Sequence, residues 1–176
     1  LSATNTCLNF SNEVSISGAS SLSDGIYTIN YQLSGVSTAT STASVTFTNG
    51  TGNLTIPATE LNNSGNVTVT ILEIKSQVSS CSTLGTNVPP VTFAVTQLHT
   101  PVLNEKGNEF CGSENPTIAD LSANIAGSEL VVWYDAATGG VAYNTTDLLE
   151  DGNTYYGSIK SVSGCESAIR LVVVVD

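Results

Sequence analysis

The sequence is poor in the residues that most enzymes and metal-binding proteins use. Charged residues make up only 11 % of its 176 residues, and it has one histidine, one tryptophan and no methionine. The single histidine, His99, lies in no motif that places a serine nucleophile beside it, and no Cys-x-x-Cys pair is present to hold a metal. An enzyme is therefore not expected.

Long apolar runs are also missing. No stretch approaches the roughly 20 apolar residues that a membrane-spanning helix needs, and the four valines at residues 172–175 are predicted to form a buried strand. We therefore expect no membrane insertion. Because the sequence begins at Leu1, it is interpreted as a piece of a longer precursor whose signal peptide lies outside it.

Basic residues are scarce as well. Four of them stand against fifteen acidic residues, which gives a net charge of −11. Residues 1–100 contain four acids and one lysine, whereas residues 101–176 contain eleven acids and three basic residues. Such a surface repels phosphate backbones, so nucleic acid is not an expected partner. The acidity indicates a soluble surface or, as a second interpretation, a calcium site.

Short β-strands dominate what is present. Residues 27–33 alternate apolar and polar side chains, which is the period of a strand with one wet face. Asn49-Gly50 predicts a hairpin turn, and a phase shift at Leu72 predicts a β-bulge. Only residues 117–123 have the pattern of a helical turn. The sequence therefore predicts an all-β chain of two antiparallel β-sandwiches of about seven strands each. The predicted domains are residues 1–100 and 101–176, joined by a short hinge.

The cysteines follow a plan that the two halves share. Residues 74–81, IKSQVSSC, are similar to residues 159–165, IKSVSGC, and each half has an Asp-Gly pair before a tyrosine. Four evenly spread cysteines indicate disulfides and an oxidising compartment, with a metal site as the alternative. Of the three possible pairings, the shared plan selects Cys7–Cys81 and Cys111–Cys165, one bridge in each domain.

Motifs in a fixed order carry a family resemblance. In the second half they are FCG at 110–112, NPTIADL at 115–121, WYDAATGG at 133–140, DG at 151–152, YY at 155–156 and GCES at 164–167. In this order, residues 107–176 resemble the Ig-like repeats of very large surface proteins of Bacteroidota, especially flavobacteria. The first half, through residues 24–27, 33–35 and 49–52, is similar to the longer Ig-like modules that neighbour such repeats.

The resemblance implies both a fold and a role. Each half would be an Ig-like β-sandwich domain, and the chain would be a tandem repeat segment of a secreted bacterial adhesin on the cell surface. Such proteins include the gliding-motility adhesins exported by the type IX secretion system. The segment would be a structural spacer for adhesion. Its partners would be neighbouring repeats of the same chain, with a surface glycan or the substratum as a further partner.

Two pairs of neighbouring aromatic residues are the candidate ligand contacts. Trp133-Tyr134 and Tyr155-Tyr156 lie on predicted strands, so in each pair one ring points into the core and the other points outward. Trp133 is expected in the core, but an exposed indole would be a platform for a sugar ring. The outward rings suggest the alternative function, a carbohydrate-binding module of a secreted protein or hydrolase.

Four carboxylates are the candidate metal ligands. Asp120, Asp147, Glu150 and Asp151 together could supply part of the roughly six to eight oxygens that calcium takes. No EF-hand spacing is visible, and an aspartate before glycine is also an ordinary turn former. The sequence therefore predicts no cofactor, with calcium as the alternative.

Overall fold

The computed structural model describes residues 1–78, 82–127 and 129–176. The chain divides into two compact units, Leu1–Thr96 and Gln97–Asp176. The boundary predicted from the sequence, between residues 100 and 101, lies inside the second unit. Each unit has a hydrophobic core of its own, so each is described by itself.

The first unit is built from two β-sheets. Its described strands are β1 (Ser2–Ala3), β2 (Thr6–Cys7), β3 (Asn12–Ile16), β4 (Gly25–Gly35), β5 (Ala39–Phe47), β6 (Gly52–Ile56), β7 (Gly65–Ser76), β8 (Ser82–Leu84) and β9 (Val91–Thr96). The larger sheet has the order β2-β9-β7-β4-β5, with β8 beside β7, and the smaller sheet has the order β1-β3-β6. Short 3₁₀ helices span Ala58–Glu60 and Gly85–Asn87.

The core of this unit lies between the two sheets because apolar residues alternate along the strands. The predicted alternation over residues 27–33 is confirmed, since every second side chain of β4 is buried. The smaller sheet supplies the opposite wall from β3 and β6. The buried hydrophobic side chains of these three strands are Tyr27, Ile29, Tyr31, Leu33, Val14, Ile16, Leu54 and Ile56.

The predicted turn at Asn49-Gly50 is present, but its flanking strands enter different sheets. Asn49 has φ = 50° and Gly50 has φ = 72°, and Thr48 and Thr51 form a bridge across the turn. A Cβ on Gly50 would lie 2.8 Å from the backbone nitrogen of Ser20, so the position requires glycine. Because β5 belongs to the larger sheet and β6 to the smaller, the turn is a corner of the sandwich.

The predicted bulge at Leu72 is confirmed. Asn30 of β4 faces Glu73 of β7, but the next residue, Tyr31, faces Ile71. Leu72 is therefore the extra residue of β7, and its side chain is exposed. The bulge lets β7 keep apolar side chains in the core on both sides of the phase shift.

One strand pair departs from the predicted antiparallel arrangement. β2 runs parallel to β9, with Thr6 opposite Val95 and Cys7 opposite Thr96. The Leu8 N–H then donates to the Thr96 carbonyl oxygen at 2.9 Å. The first and last segments of the unit are therefore neighbours in the larger sheet.

The second unit is built on one antiparallel sheet. Its described strands are β10 (Val131–Tyr134), β11 (Thr154–Ile159) and β12 (Leu171–Val174), with β11 in the middle. Over the described ranges this is fewer than the seven or so strands predicted. The reason is that several segments approach one another only as single bridges, such as Thr117 with Leu148, rather than as continuous ladders.

The one α-helix among the described residues, α1 (Ile118–Ala123), forms where the sequence predicted a helical turn. Thr117 is its N-cap, and the Thr117 N–H and hydroxyl donate to Asp120 Oδ2 at 2.8 Å and 2.7 Å. These hydrogen bonds, from the hydroxyl first and then the N–H, hold the pKa of the Asp120 carboxyl below its usual value. Ile118 and Leu121 point from the helix into the core.

The predicted pairing of Cys111 with Cys165 is wrong. Cys111 has a free, exposed thiol, whereas Cys7 and Cys165 are both disulfide-bonded. The predicted partner of Cys7, Cys81, lies outside the described residues. The second domain therefore lacks the internal bridge that the shared cysteine plan predicted.

The reason is that Cys111 and Cys165 lie at opposite ends of the sheet. The Phe110 N–H donates to the Asp176 carbonyl oxygen, which places Cys111 where β12 finishes. Cys165 lies beyond the other end of β11, where its carbonyl oxygen accepts from the Ser161 N–H. A strand of six residues separates these ends by about 20 Å, whereas a disulfide needs Cα atoms within roughly 7 Å.

The shared sequence plan also does not correspond to a shared strand plan. In the first unit, Asp24-Gly25 begins β4 while Ile74-Lys75-Ser76 ends β7, so the two motifs lie on neighbouring strands. In the second unit, Asp151-Gly152 and Ile159-Lys160 flank a single strand, β11. Similar strand-end sequences therefore occupy different places in the two units, and a pairing inferred from their similarity fails.

Candidate functional site

Two of the four candidate rings lie in the core of the second unit. Trp133 and Tyr155 are each 1 % exposed. The Trp133 indole N–H donates to Ser122 Oγ at 3.0 Å. The Tyr155 hydroxyl accepts from the Glu150 N–H at 2.9 Å, and its ring packs 5.2 Å from that of Tyr143. The predicted core position of Trp133 is confirmed, and neither ring is open to a sugar.

The other two rings, Tyr134 and Tyr156, lie opposite each other on β10 and β11 and are half-buried. The Arg170 guanidinium covers Tyr134, with its central carbon 3.5 Å from the ring centroid. The Tyr134 hydroxyl donates to Glu166 Oε1 at 2.7 Å, and Lys160 Nζ lies 3.3 Å from the same oxygen. Burial and the hydrogen bond to Glu166 raise the pKa of Tyr134. Arg170 therefore occupies the ring face that a sugar would need.

Arg170 also holds the loop that follows β10. One guanidinium nitrogen, Nη1, donates to the carbonyl oxygens of Ala136 and Gly139, both at 2.7 Å. Gly140 has φ = 74°, and a Cβ there would collide with Asp135 Oδ1. The Asp-Ala-Ala-Thr-Gly-Gly motif is thus a turn fixed by one arginine and two glycines. Sequence reasoning did not assign this role to Arg170.

The candidate calcium ligands make separate local contacts. Asp120 accepts from Thr117, the N-cap of α1. Asp147 Oδ2 accepts from the Asn144 N–H at 2.7 Å, and Glu150 Oε2 accepts from Asn153 Nδ2 at 3.4 Å. Within the part of the chain that the structure describes, no three His, Cys, Asp or Glu side chains gather closely enough to hold a metal ion. The four carboxylates are not brought together as one site.

The remaining candidate, Asp151, lines an open groove near the end of β12. The groove has a volume of about 440 Å³, and apolar side chains, among them Phe110, Leu148 and Leu149, form much of its wall. Leu148 is largely exposed within it. Asp151 therefore stands at an apolar groove rather than in a cluster of carboxylates.

The first unit contains a polar cluster that sequence reasoning missed. The Tyr31 hydroxyl donates to Glu60 Oε2 at 3.0 Å, and the Ser41 hydroxyl donates to Glu60 Oε1 at 2.6 Å. Burial, and then the hydrogen bond to Glu60, raise the pKa of Tyr31 to about 12. The three residues come from β4, β5 and the 3₁₀ turn after β6, so no sequence spacing could have revealed the cluster.

The comparisons with known proteins assign the second unit to a class. Residues 99–176, which lie within this unit, match a family model of Ig-like domains. The family is described as "Ig-like domain CHU_C associated", and it is found in surface proteins of Bacteroidota. The family resemblance expected from the motifs at 110–167 is thereby confirmed for this unit. No curated protein and no solved structure matches the chain.

None of the helices in the described ranges is both long enough and apolar enough to cross a bilayer.

Proposed function

We propose that the chain is a non-catalytic spacer segment of an extracellular, cell-surface adhesin of Bacteroidota. The observation that carries the proposal is the match of residues 99–176 to an Ig-like family found in such surface proteins. Export by the type IX secretion system and a part in gliding motility belong to the same proposal. Its immediate partners would be neighbouring repeats of the same chain.

The strand arrangement of the first unit supports a mechanical role. The chain passes through β2 near the start of the unit and leaves through β9, and these two strands lie side by side and run parallel. Tension between the ends of the unit would therefore slide one strand along the other. In this shear geometry all hydrogen bonds between the two strands bear the force together. If the strands were pulled apart from one end, the bonds would break one after another.

Further bonds extend this seam between β2 and β9. Asn5 Oδ1 accepts from the Ala94 N–H at 2.9 Å, and the Leu8 N–H donates to the Thr96 oxygen at 2.9 Å. The seam is therefore longer than the two-residue strand alone.

The aromatic geometry favours the spacer over the carbohydrate-binding module. Trp133 and Tyr155 are buried, and Arg170 covers Tyr134. Only Tyr156 remains of the proposed strip, and one half-buried ring gives little stacking surface. We expect no binding on a glycan array, and specific binding that depends on Tyr156 would restore the alternative.

Single-molecule force spectroscopy of the whole chain between marker domains tests the mechanical role. Reductant is present so that hydrogen bonds alone bear the tension, and circular dichroism confirms that the reduced chain is folded. Asn5→Ala removes one seam bond, of about 1 kcal/mol, and should lower the unfolding force of the first unit.

Asn53→Ala is the matched control for that experiment. Asn53 is also an exposed asparagine that accepts one hydrogen bond, from the Ser15 hydroxyl at 3.1 Å, but it lies on β6 in the other sheet. Asn53→Ala should therefore leave the unfolding force of the first unit unchanged. Equal forces for Asn5→Ala and the wild-type chain would show that the seam does not resist tension, and the mechanical role would be rejected.

A further inference from the structure

β5 forms a long open edge of the larger sheet. It stands at the end of the order β2-β9-β7-β4-β5, and among the described strands it pairs only with β4. It is nine residues long, whereas the other outer strands of the first unit, β2, β1, β6 and β8, have two, two, five and three residues. An exposed edge of this length offers a row of unpaired peptide groups to another strand.

Every second residue of β5 points its peptide groups away from the sheet. Successive residues of a strand direct their peptide groups to opposite neighbours. The Ile26 carbonyl accepts from the N–H of Gln77, the residue that follows β7. The even-numbered residues of β4 therefore bond to β7, and the odd-numbered residues bond to β5. Odd residues of β4 face odd residues of β5, as Ile29 faces Ala43. No hydrogen bond from elsewhere in the described chain reaches the outward peptide groups of the even-numbered residues. These are Thr40, Thr42, Ser44 and Thr46.

β5 also lacks the features that commonly block edge pairing. Its sequence, ATSTASVTF, contains no proline and no charged residue, and no bulge interrupts its register with β4. Glu60, which contacts the strand through Ser41, is already held by two hydroxyl donors. The backbone of the edge is therefore unpaired. Among its outward-facing hydroxyls, that of Ser44 accepts from Gln77 Nε2 at 3.0 Å and can still donate its own proton.

We propose that β5 pairs antiparallel with β5 of a second copy of this chain, which joins two larger sheets into one. A two-fold axis at Ala43 places Thr40 opposite Thr46 of the second copy, and Thr42 opposite Ser44. All of these residues have outward peptide groups, so each opposed pair forms two N–H···O bonds. A shift by one residue would set outward groups against inward ones, and a shift by two would leave one of the four outward residues of each copy without a partner, so this register forms the most bonds.

A second copy suits this edge because the strand complements itself. Each opposed pair brings two hydroxyl side chains together, as Thr68 and Thr92 already do across β7 and β9 at 2.7 Å. No charge on the strand faces another across the axis, although the whole chain carries −11. The small side chain of Ala43 lies at the axis, where the two strands approach most closely.

Analytical ultracentrifugation of the whole chain over a range of concentrations, with hydrogen exchange on the same samples, tests the proposal. We expect a monomer–dimer equilibrium. The outward amides of Thr40, Thr42, Ser44 and Thr46 should exchange rapidly in the monomer and slow as the dimer forms. Amides of the odd-numbered residues between them, which bond to β4, should show no such dependence on concentration.

Variants locate the interface. Thr42→Lys sets two lysines close to each other beside the axis and should weaken dimerisation by about fivefold or more. Thr42→Pro removes one outward N–H and breaks no hydrogen bond to β4, because the Thr42 N–H points away from β4. It should weaken dimerisation in the same way. Thr92→Lys is the matched control, since Thr92 is exposed on β9 at the opposite side of the same sheet. It should dimerise like the wild-type chain.

Two results would overturn the proposal. One is a chain that stays monomeric, with rapid exchange at all four outward amides, at every concentration measured. The other is a dimer that Thr42→Lys and Thr42→Pro leave intact, which would place the contact elsewhere. Because the exchange measurement uses the wild-type chain, the test does not depend on the folding of either variant.

Discussion

Gly157 lies directly opposite Trp133 across β10 and β11. A Cβ at this position would stand 2.9 Å from Trp133 Cζ3 and 3.0 Å from Cη2, which is closer than carbon atoms approach in folded proteins. The indole therefore fills the space that a side chain at residue 157 would occupy. Burial of the largest ring in the second unit depends on this glycine.

Gly157→Ala should destabilise the second unit by about 1–3 kcal/mol, because the rigid indole cannot move aside in a packed core. Urea unfolding followed by the fluorescence of Trp133 measures the change. Gly112→Ala is the control, since a Cβ at Gly112 meets nothing within 4 Å. An unchanged unfolding midpoint for Gly157→Ala would contradict the packing described.

The raised pKa of Tyr31 predicts that the first unit loses stability at alkaline pH. Burial and Glu60 raise its pKa from 10.0 to about 12, so the folded state holds the phenol proton more tightly than the unfolded chain. The resulting stabilisation is complete below pH 10 and is lost as the pH rises towards 12. Thermal unfolding between these pH values should show a smaller decline for Tyr31→Phe than for the wild-type chain, and parallel declines would contradict this assignment.

At the residue scale, alternation predicted that the two rings of each aromatic pair point opposite ways, but it could not predict what each ring contacts. Trp133 and Tyr134 face opposite ways because neighbours on a strand must. The Arg170 that covers Tyr134 comes from the loop before β12. Its contact depends on how that loop and the turn after β10 meet, and no local pattern records that.

At the scale of elements, the features set by local chemistry were predicted and those set by long-range pairing were not. The turn at Asn49-Gly50, the bulge at Leu72 and the helix after Thr117 each follow from a few neighbouring residues. The parallel pairing of β2 with β9 joins residues about ninety positions apart. The predicted pairing of Cys111 with Cys165 failed for the same reason, because similar strand ends do not imply the same neighbours in space.

Arg170→Lys should loosen the loop that follows β10. A lysine keeps the charge but cannot cover Tyr134 and bond two carbonyl oxygens with one planar group. Hydrogen exchange of a peptide that spans residues 135–141 should therefore accelerate, with little change in peptides from α1. Lys106→Ala, which removes a charge from an exposed ion pair with Glu109, is the control. Unchanged exchange in Arg170→Lys would mean that the loop holds its form without the arginine.

At the scale of the whole molecule, acidity is concentrated in residues 101–176, and the acidic side chains that the structure describes do not gather into a group of three or more that could hold a metal ion. This half contains eleven acidic and three basic residues. Asp120, Asp147 and Glu150 each accept hydrogen bonds from a different local partner. The charge therefore acts as a diffuse field that salt screens.

The melting temperature should consequently be the same in calcium and in chelator at equal ionic strength. Differential scanning calorimetry of the whole chain measures it, and magnesium at the same concentration controls for non-specific screening. A rise of several degrees in calcium alone, lost in Asp147→Asn, would show that the carboxylates gather round an ion after all.

The neighbouring positions of β2 and β9 have a consequence for how the first unit is made. Because Thr6 pairs with Val95, nearly the entire unit must be synthesised before the larger sheet is complete. Until then the nascent chain holds strands without their final neighbours. A polypeptide that stays open until then is available to chaperones while it is being synthesised.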